Sequence, residues 1–572
     1  MPQTKTNPIL RLMPSLTDVA FLLPLILLFG GLLGVRNMLG DGDTGWHIRI
    51  GDWILAHRQV PRQDMFSFTK PGQPFFAWEW LWDVGASWLH RHGGLGAVVL
   101  ASLLVISFTS ALLYRLVYRR CGNPLVSIVL TGLAAAAASV HWFARPHLIT
   151  MLLLVVFLSI LERVREGRTR LLWTLPALMI PWANLHGGFL IGIVIVGTYG
   201  AGEILGAIVT RDPAARRASL LAAARYLAAT AGCLLTSLLN PYGYRLYTHL
   251  IEYFSDPYAM KYIQEFQSTN FHTPAAGFLE IMLILGLGAA VWYGLRRQFT
   301  EVLMIAGFGH LSLVVVRNMP IYALAVAPII AVPLLAWLKA LAEAPIADWI
   351  RTVFGTFVEI GEELNPFERP WRIHAAPLLV LLLLTVEIAA PSAGIKFKPV
   401  YDPKAYPEKA LAALNPAWLT AANPAQQQLF DPERRVFTQD DWGDYLIYKL
   451  SPRGLKVFVD GRSDFYGGKF GQDYIDVMNV KFDWQQTLDR YGVDTILMPT
   501  DAPLSGALKE SRRWRVAYDD GMAIVFRPAA NARMEQVFTG TAGGNGGGRK
   551  IASIKHGIPG DHLNHKLEEY NP

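Results

Sequence analysis

The sequence predicts a polytopic α-helical membrane protein that carries a small α/β domain after its last span. Of its 572 residues, 52% are hydrophobic and only 17% are charged, whereas soluble proteins carry charge on about a quarter of their residues. The apolar residues also form blocks of roughly 20, the helical length that crosses ~30 Å of hydrocarbon. After the last block, short strand-like runs replace the long apolar ones.

The apolar blocks predict about eleven spans in order along the chain. They lie near 18–37, 95–117, 124–141, 147–163, 171–185, 188–208, 219–239, 276–295, 299–316, 319–339 and 374–391. The joints at 184–188 and 317–320 contain glycine or proline, which predicts tight turns between helices. The first block is long and no small-residue cleavage site follows it, so we interpret it as an uncleaved span.

Arginine clusters give the orientation, because positively charged loops stay in the cytoplasm. Every even-numbered span up to the eighth leads into a basic loop. These loops hold Arg115, Arg119 and Arg120; Arg163, Arg165, Arg168 and Arg170; Arg211, Arg216 and Arg217; and Arg296 and Arg297. The pattern predicts a cytoplasmic amino terminus, and it places the long first loop and the domain after the last span outside. It also accounts for the net charge of +7 without a nucleic-acid partner.

The predicted domains are a membrane domain over 1–394, with a long first external loop at 38–94, and an outer α/β domain over 395–530. In the outer domain, strands are predicted at 455–459, 494–498 and 522–526, and a short helix at 484–490. Residues 531–572 are rich in glycine and polar groups, which predicts a disordered tail. Neither Cys121 nor Cys233 falls in a segment predicted on the outer side, so no disulfide framework is expected.

The first external loop holds an acidic pair, Asp41 and Asp43, directly after the first span. One carboxylate of such a pair can deprotonate an acceptor hydroxyl as general base. Alternatively, both can hold a divalent cation, Mg²⁺ or Mn²⁺, that neutralises a phosphate. His47 follows, as a proton carrier or a phosphate ligand. A surface turn also explains an Asp-Gly-Asp sequence.

Two arginines, Arg145 and Arg317, are predicted outside, against the positive-inside rule. Snorkelling explains a lone arginine at a span end, but two on the side of the aspartates favour phosphate binding. His147 and His186 add polar groups at that surface, or act as caps and turns. No phosphate-binding loop of ATP-driven pumps is present in the sequence.

Acceptor or sugar binding is predicted for a third group of residues. Asp460, Arg462 and Asp464 follow a predicted strand as a mixture of acidic, basic and aromatic side chains, although Asp-Gly after a strand is also ordinary turn chemistry. Trp46 and Glu79 of the first loop belong to the same prediction. An interfacial aromatic belt explains other tryptophans nearby.

Taken together, these features resemble the GT-C class of polyprenyl-phosphate-dependent membrane glycosyltransferases, which includes oligosaccharyltransferase catalytic subunits. A bacterial family usually placed near this class is similar over nearly the whole chain, to about residue 527. The motifs that carry the resemblance are Asp41-x-Asp43-x-x-Trp46-His47-x-Arg49-x-Gly51, Pro61-x-x-Asp64-x-Phe66-Ser67, Trp78-Glu79-Trp80-Leu81, Arg317-Asn318-Met319-Pro320 and Val459-Asp460-Gly461-Arg462.

The resemblance implies a GT-C-like enzyme of the bacterial inner membrane that moves a sugar from a polyprenyl-phosphate donor to an external acceptor. By motif position, Asp43 or Asp41 is the base or metal ligand, and Arg145 and Arg317 hold the lipid phosphate. The sequence departs from the class at 141–147, which has no carboxylate, and lacks a clear acceptor-recognition motif. A lipid-linked-sugar transporter or flippase, and a glycan-binding scaffold, are the alternatives.

Overall fold

A computed structural model describes residues 12–29, 35–368, 372–389, 399–414 and 434–529. Its helices before residue 390 correspond one by one to the predicted spans, with four additional helices between them. They are α1 Leu16–Phe29, α2 Asp43–His57, α3 Trp80–Cys121, α4 Pro124–Ala138, α5 His147–Arg165, α6 Thr174–Leu185, α7 Phe189–Val209, α8 Pro213–Ser237, α9 Arg245–Phe254, α10 Pro257–Tyr262, α11 Pro274–Leu295, α12 Phe299–Val314, α13 Met319–Glu343, α14 Asp348–Glu368 and α15 Ala375–Ala389.

The long apolar helices confirm the predicted fold class. Seven of the described helices are long and apolar enough to cross a membrane by length and composition, and α1, α12 and α15 are shorter apolar helices. The remaining predicted span corresponds to α6, which has 12 residues. The polytopic α-helical architecture therefore follows from the apolar blocks of the sequence.

The helix that contains the second predicted span is longer than the sequence predicts, because it begins at Trp80, ahead of the apolar block. α3 has 42 residues and is broken at Gly93 and Gly94, where Gly94 has a φ of 61°. Glycine adopts positive φ without a steric penalty. The residues before this break lie against α2, and the apolar residues after it form the span.

α14 was not predicted, because it has no continuous apolar run. Trp349, Val353 and Ile360 lie exposed on one face, while Val358 and Gly361 are buried. A β-carbon on Gly361 would come within 2.3 Å of the Asn123 side chain. α14 therefore packs closely beside α4, at the end that we predict to be cytoplasmic, as an amphipathic helix.

The outer domain is a small four-stranded sheet with short helices. Its helices are α16 Leu411–Leu414, α17 Asp440–Leu450, α18 Ser463–Tyr466, α19 Gly468–Met478, α20 Trp484–Arg490 and α21 Pro503–Glu510, and its strands are β1 Val436–Phe437, β2 Thr495–Pro499, β3 Trp514–Asp519 and β4 Ala523–Pro528. The strand order is β1-β2-β4-β3. Only the β1–β2 pair is parallel among the described strands.

Two of the three predicted strands are confirmed as β2 and β4, and the predicted helix is confirmed as α20. The strand predicted at 455–459 is wrong, because only Val457 pairs there, in isolated bridges to Val436 and Ser67. Its apolar residues are buried in the core without forming a ladder. β3 was not predicted.

The bridge between Ser67 and Val457 joins the first external loop to the outer domain. The Phe68 amide donates to the Val457 carbonyl at 3.1 Å, and the Val457 amide donates to the Phe66 carbonyl at 2.9 Å. The loop thus extends one edge of the sheet. The division into 1–394 and 395–530 stays a prediction, and the tail at 531–572 lies outside the described residues.

Candidate active site

The acidic pair lies at the start of α2, against the loop that carries Arg145. The Asp43 amide donates to Asp41 Oδ1 at 2.9 Å, which folds the two residues into one turn. The Ala144 amide donates to the Met38 carbonyl at 2.8 Å, and the Thr44 hydroxyl donates to the Ala144 carbonyl at 3.1 Å. Backbone contacts on both sides of the pair therefore hold Arg145 beside it.

Arg145 is shared by three carboxylates. Its Nε lies 3.0 Å from Asp43 Oδ2, and its Nη1 lies 2.7 Å from Glu265 Oε1 and also bonds to Asp41. Burial raises the pKa of Asp43 to about 7, against the opposing effect of Arg145. One guanidinium cannot neutralise three carboxylates fully, so Asp43 titrates close to neutral pH.

Glu265 is a site residue that sequence reasoning missed. It lies in the long outer segment after the seventh span, in the short helix Gln264–Phe266, and its Oε2 is 3.6 Å from Arg317 Nε. Although burial acts to raise it, Arg145 and Arg317 hold the pKa of Glu265 well below its usual range. The available signal was an acidic residue in a segment predicted to lie on the same side as Arg145 and Arg317, a signal that Glu252 and Asp256 share.

The structure brings Arg145 and Arg317 together through Glu265, but their surroundings differ, and phosphate binding by either arginine stays a prediction. Arg145 is buried among carboxylates, whereas the side chain of Arg317 is 31% exposed and, within the described part of the chain, forms one ion pair, the long one to Glu265. Arg317 is consequently the cation more available to an added anion.

A group of histidines lies beside this cluster. His47 Nδ1 is 2.6 Å from Asp83 Oδ1, and its Nε2 is 3.7 Å from Glu79. His186 Nε2 is 3.6 Å from the other oxygen of Glu79. Burial lowers the pKa of His47 and of His186 well below the usual range, so both rings are neutral near pH 7. His147 Nε2 bonds to the His141 carbonyl.

The outer domain places a fourth carboxylate, Asp444 of α17, at the acidic pair. A β-carbon on Gly461 would come within 2.3 Å of Asp43 Oδ1 and 2.6 Å of Asp444 Oδ2. The Gly461 amide donates to Asp444 Oδ1 at 2.8 Å, but Asp444 Oδ2 has no partner among the described residues. Burial, with Asp43 nearby, raises the pKa of Asp444 well above its usual range.

Trp46 contacts both the acidic pair and the histidines. Its indole Nε1 donates to Asp43 Oδ1 at 3.0 Å, and its ring stacks on His47 with centroids 3.6 Å apart. Trp46 is therefore placed to orient the two residues. The sequence predicts sugar binding for it, and that remains a prediction.

The residues predicted in the outer domain to bind an acceptor are largely buried. Arg462 Nε is 2.7 Å from Asp460 Oδ1, and its Nη2 is 2.7 Å from Asp64 Oδ1. Asp464 Oδ2 lies 2.9 Å from His249 Nε2. Asp460 and Arg462 are each 2% exposed. Their contacts favour a structural role in joining the first loop to the outer domain.

The acidic pair fits a divalent cation poorly. Arg145 bonds to both Asp41 and Asp43, whereas a bound cation needs such oxygens as its own ligands. Within the described residues, no three His, Cys, Asp or Glu side chains are arranged to hold a metal ion. A metal site at Asp41 and Asp43 stays a prediction from the sequence.

No family model matches the chain, and no curated protein matches it. Among solved structures, it is similar to the apo oligosaccharyltransferase of Archaeoglobus fulgidus, with a TM-score of 0.49 and 11% identity over 90% of this chain and 74% of that one. It is also similar to ArnT from Cupriavidus metallidurans bound to undecaprenyl phosphate, with a TM-score of 0.42 and 18% identity over 90% and 98%.

A further similar structure is the Archaeoglobus fulgidus oligosaccharyltransferase in complex with zinc and sulfate, with a TM-score of 0.45 and 13% identity over 90% and 73% of the two chains. All three TM-scores lie below 0.5, so the proposal of function rests on the residues of the site.

Proposed function

We propose that this protein is a membrane glycosyltransferase that moves a sugar from a polyprenyl-phosphate donor to an acceptor on the outer face of the bacterial inner membrane. The observation that carries the proposal is the position of Asp43. It is a largely buried carboxylate whose pKa is raised to about 7, beside two arginines linked through Glu265. A base poised near neutral pH next to a phosphate-binding cation suits transfer from a phosphate leaving group.

In the proposed reaction, Asp43 takes the proton of the acceptor hydroxyl as that oxygen bonds to the anomeric carbon. The bond from this carbon to the phosphate oxygen breaks, and its electron pair leaves with the phosphate. Arg317 stabilises the departing charge, because its guanidinium is the less neutralised of the two. Arg145 and Trp46 hold the Asp43 carboxylate in place through bonds to its two oxygens. Membrane lipids and the donor's polyprenyl chain are the expected partners within the bilayer.

Sugar release from a panel of radiolabelled undecaprenyl-phosphate sugars tests the proposal, with the purified protein in lipid. Turnover by the wild type and a loss of about 100-fold or more in Asp43→Asn support it. Asp41→Asn tests the supporting carboxylate, and Asp501→Asn is the matched control, since Asp501 is exposed in the outer domain. Donor binding without turnover, unchanged in Asp43→Asn, would favour a transporter or a glycan-binding scaffold.

A further inference from the structure

A buried row of side chains runs from Asp83 through His47 to Glu79 and His186, next to the carboxylates around Arg145. Asp83 Oδ1 lies 2.6 Å from His47 Nδ1. Glu79 lies between the two histidines, 3.7 Å from His47 Nε2 and 3.6 Å from His186 Nε2. All four residues are at most 8% exposed, so an unpaired charge on any of them is costly.

The proton on His186 is fixed by its surroundings. The Gly188 amide donates to His186 Nδ1 at 3.0 Å. Trp182 donates to the Thr150 hydroxyl, which leaves that hydroxyl free to donate to the same Nδ1 at 2.8 Å. The neutral ring carries one proton, so it must lie on Nε2, which faces Glu79 Oε1. This oxygen is therefore an acceptor.

His47 has its two nitrogens between two carboxyl groups, Asp83 and Glu79. A neutral imidazole donates through one nitrogen and accepts through the other, so the three groups together hold one carboxyl proton. With the proton on Glu79, Oε2 faces the unprotonated His47 Nε2 across 3.7 Å, and His47 Nδ1 donates to Asp83 at 2.6 Å. The reverse arrangement, after Glu79 moves within hydrogen-bond distance of His47, passes the proton through the ring to Asp83. Asp83 Oδ2 has no hydrogen-bond partner among the described residues.

We propose that Asp83, His47 and Glu79 form a proton relay, in which Glu79 is the acid that protonates the departing phosphate and Asp83 is a positioning residue that, while ionised, favours the tautomer of His47 with its proton on Nδ1. The proposal rests on the function proposed above. As the bond to the anomeric carbon breaks, the phosphate oxygen takes the Glu79 proton. Asp43 releases the acceptor's proton to solvent and Glu79 regains one, so protons balance over a turnover.

The charges around Glu79 agree with this role. Burial raises the pKa of Glu79 to about 8, while Arg317 and Arg145 oppose the rise. Glu79 therefore stays protonated near pH 7 and lies in the field of the arginines proposed to hold the phosphate. The titratable or charged groups that face it are His47, Asp83, His186, Arg145, Arg317, Asp43 and Asp464.

Glu79→Gln separates proton transfer from packing, because glutamine can keep a donor toward His47 and an acceptor toward His186 but has no proton to transfer. In the sugar-release assay, we expect kcat/KM of the wild type to fall above pH about 8. Glu79→Gln should lose about 100-fold in kcat/KM and also lose this alkaline limb. Asp83→Asn should move the limb, because an amide that donates to Nδ1 reverses the tautomer of His47. A purely structural role would lower activity without changing the shape of the profile.

Infrared difference spectra of wild type and Glu79→Gln decide the protonation state without turnover. We expect a protonated-carboxyl band at pH 7 that the variant lacks and that bleaches above pH about 8. Absence of that band, or an alkaline limb that survives in Glu79→Gln, would overturn the relay. If the wild type releases no sugar, the proposed transferase activity is refuted, whereas the protonation of Glu79 is still decided by the infrared band.

Discussion

At the scale of single residues, Asp43 shows how burial and a shared arginine set the chemistry of this site. Arg145 contacts Asp41, Asp43 and Glu265 together. An opposite charge at this distance normally keeps a carboxyl acidic. Here one guanidinium pairs with three carboxylates in a desolvated environment. The effect of burial on Asp43 therefore outweighs the effect of Arg145, and the pKa of Asp43 stays raised.

This balance predicts an acid limb in the pH profile of sugar release. Since the base must be ionised, kcat/KM should fall about tenfold per pH unit below the Asp43 pKa of about 7. Asp41→Asn removes a neighbouring negative charge and should move the limb to lower pH. An acid limb that lies below pH 5 in the wild type would contradict the assignment of Asp43 as base.

Asp444 gives a prediction about stability. Its pKa is raised in the folded protein, so folding favours the protonated form. The stability that this provides is complete below the pKa of about 3.9 in the unfolded chain, and it is lost as pH rises toward the folded pKa. Asp444→Asn, which keeps an acceptor for the Gly461 amide, should therefore raise stability at pH 8 by about 1–2 kcal/mol.

Thermal unfolding at pH 5 and pH 8 measures this difference for Asp444→Asn. The gain in stability should be larger at pH 8, because keeping the wild-type carboxyl protonated in the folded protein costs more free energy at that pH. Asp473→Asn is the control, because Asp473 pairs with Arg490 at the surface of the same domain. A variant equally stable or less stable than wild type at pH 8 would show that Asp444 is not a destabilising buried acid.

At the scale of elements, the contact between α2 and α3 brings His47 and Asp83 together. A β-carbon on Gly51 would come within 1.9 Å of the Asp83 carbonyl oxygen. The clash would be with backbone atoms of Asp83, so no side-chain rotation can relieve it. Because Gly51 has no side chain, α3 lies close enough to α2 for Asp83 to contact His47, four residues before Gly51.

Gly51→Ala should separate the two helices at this point and destabilise the protein by about 1–3 kcal/mol. It should also reduce sugar release, because the Asp83–His47 contact lengthens. Gly85→Ala on α3 is the matched control, since a β-carbon there has no atom within 4 Å. Thermal unfolding and the release assay measure both effects. Equal behaviour of the two variants would show that the close approach at Gly51 has no consequence.

Elements were predictable from the sequence where apolar length alone defines them. All predicted spans have a corresponding helix. The criterion missed α14 because charged residues interrupt its apolar face, and it missed the external part of α3 because that part is amphipathic. It also predicted a strand at 455–459, where burial without a hydrogen-bonded ladder gives a similar apolar pattern.

At the scale of the whole molecule, a buried ion network joins the first external loop to the outer domain. Arg462 pairs with Asp460 and with Asp64 of the loop, and it lies over the rings of Phe75 and Phe465. The backbone bridge at Ser67 reinforces the join. Since Asp43 and Asp444 come from these two parts, the join fixes their relative position.

Arg462→Met should leave two buried carboxylates without a counter-charge and destabilise the join by about 3–5 kcal/mol. The Phe68 amide donates to the Val457 carbonyl, and the Phe66 and Ser67 amides donate to the Asp64 carboxylate. Hydrogen exchange of these three amides should become much faster while exchange in the spans is unchanged. Arg490→Met is the control, because its ion pair with Asp473 is exposed at the arginine end. Unchanged exchange at 66–68 in Arg462→Met would show that the network does not hold the loop.

The sequence by itself determined the polytopic helical class, the outer domain and the candidates Asp41, Asp43, Arg145 and Arg317. Apolar length, arginine placement and external polar residues are local properties that a chain displays directly. Only the tertiary structure decided that Arg145 serves three carboxylates, that Glu265 and Asp444 complete the site, and that Asp460 and Arg462 are buried. Partners and desolvation depend on which loops meet in space, and residues hundreds of positions apart carry no local sign of that meeting.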